Sequence, residues 1–99
     1  MNQVSKSWQV QAAQSDDLEQ IQNLVASVGG DLERLQPEQF FVARHSVTTD
    51  SEHNIIGCVR LKPYPGFCEL ASLAVSNGWR ASGVGRELVS RLVESHQGA

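Results

Sequence analysis

Within residues 73–89, LAVSNGWRASGVGRELV, Arg80, Gly83 and Gly85 stand together just ahead of an apolar-faced helical pattern. A helix N-terminus offers unpaired N–H groups and a partial positive charge, a combination that binds phosphate. Glycine at 83 and 85 lets a large anion lie against the backbone with no Cβ in the way. The guanidinium of Arg80 either adds a contact to that anion or braces the turn. These residue types therefore suit the cradling of a diphosphate. Two other phosphate loops do not fit. GVGREL lacks the third glycine of the dinucleotide fingerprint and a later strand with its acidic residue, and there is no G-K-[ST] for a P-loop.

Other side chains capable of chemistry are scattered. His45 and His53 flank a turn and His96 lies near the end of the sequence, positions that suit solvated side chains better than catalytic ones. Cys58 and Cys68 form no C-x-x-C and have no histidine at metal spacing, so we expect reduced thiols, a cytoplasmic protein and no metal site. Arg44 and Arg60 either line an acidic substrate's pocket or face solvent. Trp8 and Trp79 suit core or rim positions.

The elements that must position these residues follow from periodicity. WQVQA (8–12) alternates apolar and polar, as a half-buried strand does. In the next stretch Asp16 and Glu19 have the spacing of a capping box. Leu18, Ile21, Val25 and Val28 make one helical stripe, and Gly29-Gly30 stops it. DLERLQ is expected to add a helical turn before Pro37. FFVARHSV (40–47) and IIGCVRLK (55–62) read as strands, the second ended by Pro63 and Pro65 in the turn PYPGF. CELASLAV (68–75) is the third strand of the series. A hairpin centred near Tyr64-Pro65 sets Cys58 across from about Ala71 rather than Cys68. Val84, Leu88, Val89, Leu92 and Val93 give the last helix its apolar face, and Glu87 with Arg91 an i,i+4 pair. The expected fold is α+β: a mostly antiparallel sheet of about four strands packed on two helices.

Size and charge bound the function. At 99 residues the chain has room for one core and one domain. Its 40% hydrophobic and 19% charged residues fit a globular chain rather than a disordered one. A net charge of -3 and the lack of a Lys/Arg cluster argue against nucleic acid, and MNQVSKSWQV holds no apolar run for a signal peptide or membrane span.

Read together, strand and turn in ELASLAVSNGWRASGVGRELV resemble the acetyl-coenzyme A binding segment of the GNAT N-acetyltransferase superfamily. Arg80, Gly83 and Gly85 fall on the three defining positions of its R/Q-x-x-G-x-G/A motif, and ELASLAV is similar to the N-acetylglutamate synthase branch. The order of upstream elements also fits the family's first half, while Asn77 stands where the family often has proline. The resemblance implies that backbone N–H groups of Ala81, Ser82, Gly83, Val84, Gly85 and Arg86 hold the pyrophosphate of the co-substrate acetyl-CoA. It implies that Leu73, Ala74 and Val75 hydrogen-bond the pantetheine arm. Glu69, eleven residues before Arg80, has the spacing of the catalytic glutamate of histone-type members. A substrate ammonium must lose a proton before it attacks a thioester, and a carboxylate made more basic by burial takes it. The alternative is an exposed Glu69 paired with Arg60 or Lys62 across the hairpin.

The resemblance thus implies acetyl transfer to a primary amine by direct attack, the amine itself being unknown. The usual C-terminal strand, helix and hairpin of the family, with the tyrosine that protonates the leaving thiolate, are not among these residues, and Tyr64 does not match that position. Residues 1–99 are therefore expected to form a single, truncated GNAT-like domain whose strand 68–75 is an open apolar edge, covered in a homodimer or left bare in a remnant. The alternative functions are a non-catalytic acyl-CoA-binding module and a protein-interaction module derived from the same fold.

Overall fold

A computed structural model describes residues 8–45 and 54–97. His53 and the side chain of His96 lie outside them. Six elements follow in order: β1 (Trp8–Ala12), α1 (Leu18–Ser27), β2 (Phe40–His45), β3 (Ile55–Tyr64), β4 (Phe67–Val75) and α2 (Val84–Gln97). The four strands form one antiparallel sheet in the order β1-β2-β3-β4. This is the expected α+β arrangement. Among the described residues no helix is long and apolar enough to cross a membrane.

Strand alternation divides the core into two layers. Phe40 and Val42 of β2, with Cys58 and Ala74, pack against Ile21 and Val25 of α1. Ala43, with Val10, Ile56 and Val59, packs against Val84, Leu88 and Leu92 of α2. The helices therefore cover opposite faces of the sheet. A bulge between β2 and β3, where Ala43 faces Gly57 and Arg44 faces Ile55, leaves Ile56 as the extra residue. Gly57 lies directly beneath α2: a Cβ there would stand 2.8 Å from Val84 Cγ1 and 3.0 Å from Leu88 Cδ1. Of the predicted apolar face of α2, Val84, Leu88 and Leu92 are buried, Val89 is half-buried and Val93 is exposed.

Several local expectations are corrected. The helix start is organised by Asp17, not Asp16: the Asp17 carboxylate accepts the Gln14 N–H at 2.9 Å and closes a 3-10 turn that leads into α1. DLERLQ adds no helical turn. The Asp31 carboxylate instead accepts the Glu33 N–H, and Arg34 takes a φ of 57°, so side-chain and backbone geometry both leave the helix. β3 runs through Pro63 to Tyr64. The last residue of β3 paired with β2 is Arg60, so proline's missing N–H falls on a stretch flanked by β4 alone.

The hairpin turn is Pro65-Gly66, one residue later than predicted, with Gly66 at φ 87°. A second bulge, around Ser72 (φ 54°), shifts β4 further, so Cys58 faces Ala74 while Cys68 faces Pro63. Neither cysteine is in a disulfide. Burial pushes the Cys58 thiol up to about 12.

Candidate functional site

The glycine turn begins where β4 ends. Ser76 N–H bonds to the Ile56 carbonyl at 2.8 Å, and a 3-10 turn over Asn77–Trp79 follows, closed by Trp79 N–H on the Ser76 carbonyl. Arg80 Nε donates to the Val75 carbonyl at 3.1 Å, so this arginine braces the turn from its outer side. Ser82 N–H is engaged with the Trp79 carbonyl at 3.2 Å, whereas Gly83 accepts the Glu87 N–H at 3.1 Å. Gly83 is thus the N-cap of α2, and the N–H groups of Val84, Gly85 and Arg86 have no acceptor inside the helix. Gly83 has a φ of 98°, and no atom lies within 4 Å of the position a Cβ would take. The turn needs glycine for its conformation, and the space outside it is open.

Packing fixes this turn from beneath. Val84 is fully buried over Gly57, and a Cβ on Gly85 would meet only Val75 Cγ2, at 3.5 Å. Trp79 stacks edge-on against Trp8 and lies 5.0 Å from the His45 ring, while Glu87 accepts the Trp8 indole N–H at 3.1 Å. These aromatic side chains form a rim that ties the turn to β1 and β2. Ala81 and Arg86 are exposed beside it.

β4 is the last strand in the sheet order, so one of its edges has no neighbour among the described residues. Along it Leu73 is exposed, Ala74 buried and Val75 half-buried. A cleft of about 610 Å³ separates the start of this turn from α1, walled by Asn23, Leu24 and Ser27 on one side and Ser76, Asn77 and Arg80 on the other.

Towards the other end of β4, Glu69 is exposed, sits opposite Lys62, and accepts the Tyr64 hydroxyl at 3.2 Å. Arg60 is not its cross-strand partner; it faces Ala71. Arg60 is 3% exposed, with Nε donating to Gln39 Oε1 at 2.8 Å and Nη2 to the Arg34 carbonyl at 2.7 Å. Its guanidinium carbon lies 5.9 Å from the centre of the Phe40 ring. Nη1 has no hydrogen-bond partner among the described residues. A buried donor left unmade costs about 1–3 kcal/mol, more when charged. A cavity of about 370 Å³ adjoins it, lined also by Arg34, Lys62 and Tyr64.

Arg44, the other strand arginine, is satisfied internally. It contacts Asp17 Oδ2 at 2.8 Å, Gln11 Oε1 at 2.9 Å and Asn54 Oδ1 at 3.2 Å, linking β1, β2 and the start of α1. No cluster of three or more His, Cys, Asp or Glu side chains able to hold a metal ion occurs among the described residues. The sequence placed Arg44 and Arg60 on equal terms; only the packing separates a braced arginine from one with an unmet donor.

This arrangement has relatives of known structure. The Mycobacterium tuberculosis protein Rv2747, in complex with CoA, shares 26% identity and a TM-score of 0.73 over 89% of this chain and 57% of its own. N-acetylglutamate synthase from Neisseria gonorrhoeae, complexed with coenzyme A and L-arginine, is similar at 25% identity and a TM-score of 0.76, over 95% of this chain and 22% of its own. Diaminobutyrate acetyltransferase from Paenibacillus lautus shares the fold at 16% identity, with a TM-score of 0.66 over 89% of this chain and 57% of its own. The chain thus spans little more than half of the first of these and under a quarter of the second. No curated protein matches the sequence significantly. The sequence profile of the acetyltransferase (GNAT) family matches residues 3–98, and the chain belongs to that family.

Proposed function

We propose that the domain binds acetyl-coenzyme A and takes part in transferring its acetyl group to a primary amine by direct attack. The observation that carries this reading is the open N-cap at Gly83: four N–H groups, of residues 83–86, with no acceptor inside the helix, a backbone that admits no side chain strain-free, and free space outside. In this reading the diphosphate takes the N–H groups of Gly83, Val84, Gly85 and Arg86, with Ala81, Ser82 and Arg80 shaping the turn around them. Leu73, Ala74 and Val75 offer the pantetheine arm the backbone of an unpaired strand edge. Two of the similar structures contain coenzyme A and are at least 25% identical, which supports the same ligand here.

Glu69 is the proposed base. The amine nitrogen bonds to the acetyl carbon, the C–S bond breaks, and the thiolate leaves with the electron pair. Glu69 takes the amine proton directly or through water, and solvent protonates the thiolate. The two reduced thiols fit a cytoplasmic setting.

Calorimetric titration with acetyl-CoA tests the reading, with Gly85→Asp beside the native chain because that position has room for a side chain. Micromolar binding, about -8 kcal/mol, lost in a folded Gly85→Asp variant supports the cradle. No heat with folded native protein overturns it.

A second reading, a non-catalytic or protein-interaction module, is favoured by one feature. Tyr64, Phe67, Leu70 and Leu73 are all at least 40% exposed on the β3–β4 hairpin and the open β4 edge. Such an edge suits pairing with a second copy. Sedimentation of the native chain beside Leu73→Lys separates the cases: a dimer dispersed by the charge supports this interface, and a native monomer removes it.

A further inference from the structure

We propose that Tyr64 is a positioning residue for the proposed base, its hydroxyl holding one oxygen of the Glu69 carboxylate so that the other is presented to the acceptor amine. The inference rests on the acetyltransferase reading above and deepens it. The Tyr64 hydroxyl donates to Glu69 Oε1 at 3.2 Å, and Oε2 has no partner among the described residues. An exposed glutamate otherwise samples many rotamers, whereas a base must be held within reach of the proton it takes.

The hairpin builds this contact. Tyr64 pairs directly with Phe67 across the turn, and Glu69 lies two residues further along β4, on the same face of the strand as Phe67. That is the diagonal position from Tyr64, which a long side chain can reach. The Tyr64 ring is itself restrained. It stacks on Phe67 with centroids 4.9 Å apart and planes 18° from parallel.

The choice of donor suits a base. Lys62 faces Glu69 across the hairpin but makes no ion pair with it among the described residues. An ammonium bonded to the carboxylate would favour its ionised form by charge as well as by the hydrogen bond, and both would oppose uptake of a proton. A phenol is neutral, so it orients the carboxylate and opposes protonation through the hydrogen bond alone. When Glu69 Oε2 takes the amine proton, Tyr64 keeps its own, and solvent protonates the thiolate.

Two measurements test this. Tyr64 is the only tyrosine of the sequence, so phenolate absorbance in a pH titration reports it alone. It should ionise above the ordinary 10.0, first through local desolvation and then through the hydrogen bond to Glu69 and the charge of Glu69. Glu69→Gln should move the midpoint down, and an unchanged midpoint overturns the contact. The second measurement is the pH profile of acetylation by Tyr64→Phe beside the native chain. It uses saturating acetyl-CoA and the fastest acceptor among ethanolamine, phenethylamine and spermidine. We expect kcat to fall about 2- to 10-fold, the range of one hydrogen bond, with KM for the amine unchanged. The acid limb should also move to higher pH, because the ionised carboxylate has lost a donor. A hairpin merely loosened would lower the rate equally at every pH. An unmoved acid limb, or native kcat in Tyr64→Phe, overturns the proposal. Coenzyme A affinity is measured by calorimetry on the same samples. A native chain that binds no coenzyme, acetylates none of the three amines, or stays fully active as Glu69→Gln marks failure of the parent reading and takes this one with it. A Glu69-dependent rate indifferent to Tyr64 marks failure of this one alone.

Discussion

Arg80 Nε and the Val75 carbonyl are joined by a 3.1 Å hydrogen bond that ties the end of β4 to the turn before α2. The link spans the strand edge and the helix N-terminus, the two surfaces to which the proposed function assigns the coenzyme. Of the two roles the sequence left open for Arg80, this hydrogen bond is the bracing of the turn.

Removing that brace should loosen the cradle more than the fold. Arg80 is exposed, so Arg80→Ala is expected to change stability by under about 1 kcal/mol. Acetyl-CoA affinity should fall about tenfold, the loss expected for one hydrogen bond to a charged group. Calorimetry beside a thermal melt reads both quantities; an affinity equal to the native value would show that the brace is idle.

The two glycines of the turn should behave differently. Gly83→Ala meets no neighbouring atom but must hold a φ of 98°, which costs about 1–3 kcal/mol. For a domain of this size that lowers Tm by roughly 4–8 °C per kcal/mol. Gly85→Ala meets Val75 at an ordinary distance and should melt near the native temperature. Its effect belongs to coenzyme affinity. Equal melting of the two variants would contradict the strained N-cap.

Gly57 is expected to tolerate no side chain. A methyl group 2.8 Å from Val84 Cγ1 forces α2 off the sheet, and overpacking of this kind costs about 1–3 kcal/mol. Since Val84 opens the helix that carries the cradle, Gly57→Ala should weaken acetyl-CoA binding as well as stability. A denaturant titration and a binding isotherm check the two halves separately.

Glu69→Gln should lower the turnover of any accepted amine by about 10²–10⁴-fold while leaving coenzyme affinity intact. Single-turnover rates with saturating acetyl-CoA provide the measurement. Full activity in the variant would return Glu69 to a purely exposed strand residue.

Cys58 imposes a pH limit on stability. Its thiol ordinarily ionises near 9.0, but burial pushes it up to about 12, with only partial relief from a backbone hydrogen bond. Above pH 9 the unfolded chain therefore loses a proton that the folded chain keeps, and stability falls as pH rises towards 12. The contribution is complete below pH 9. Cys58→Ala should flatten this slope relative to the native chain in urea titrations across that range. Thiol reagents at pH 8 should label Cys68 well before Cys58.

Much of this architecture was legible in the sequence because it is written in local periodicity. The alternation of 8–12, the helical stripe of Ile21 and Val25 and the glycine turn at 83–85 each carry their own signal. Features that depend on what lies alongside were not. Pro63 reads as a strand breaker, and its effect is decided by the absence of β2 on that side. ELASLAV reads as an unbroken strand, since no side-chain type marks the bulge at Ser72. Arg60 occupies an ordinary strand position in CVRLK. Its burial comes from residues 34–39, whose irregular path is set by Arg34 and the Asp31 turn rather than by any repeat.

The sheet order repeats the order of the strands along the chain, which has a bearing on synthesis. Each strand of β2, β3 and β4 pairs with its immediate predecessor, so no strand waits for a partner yet to be made. The sheet and the α1 layer are thus specified before α2 in chain order; only the layer under Val84, Leu88 and Leu92 must wait for that helix, and with it the turn at Gly83.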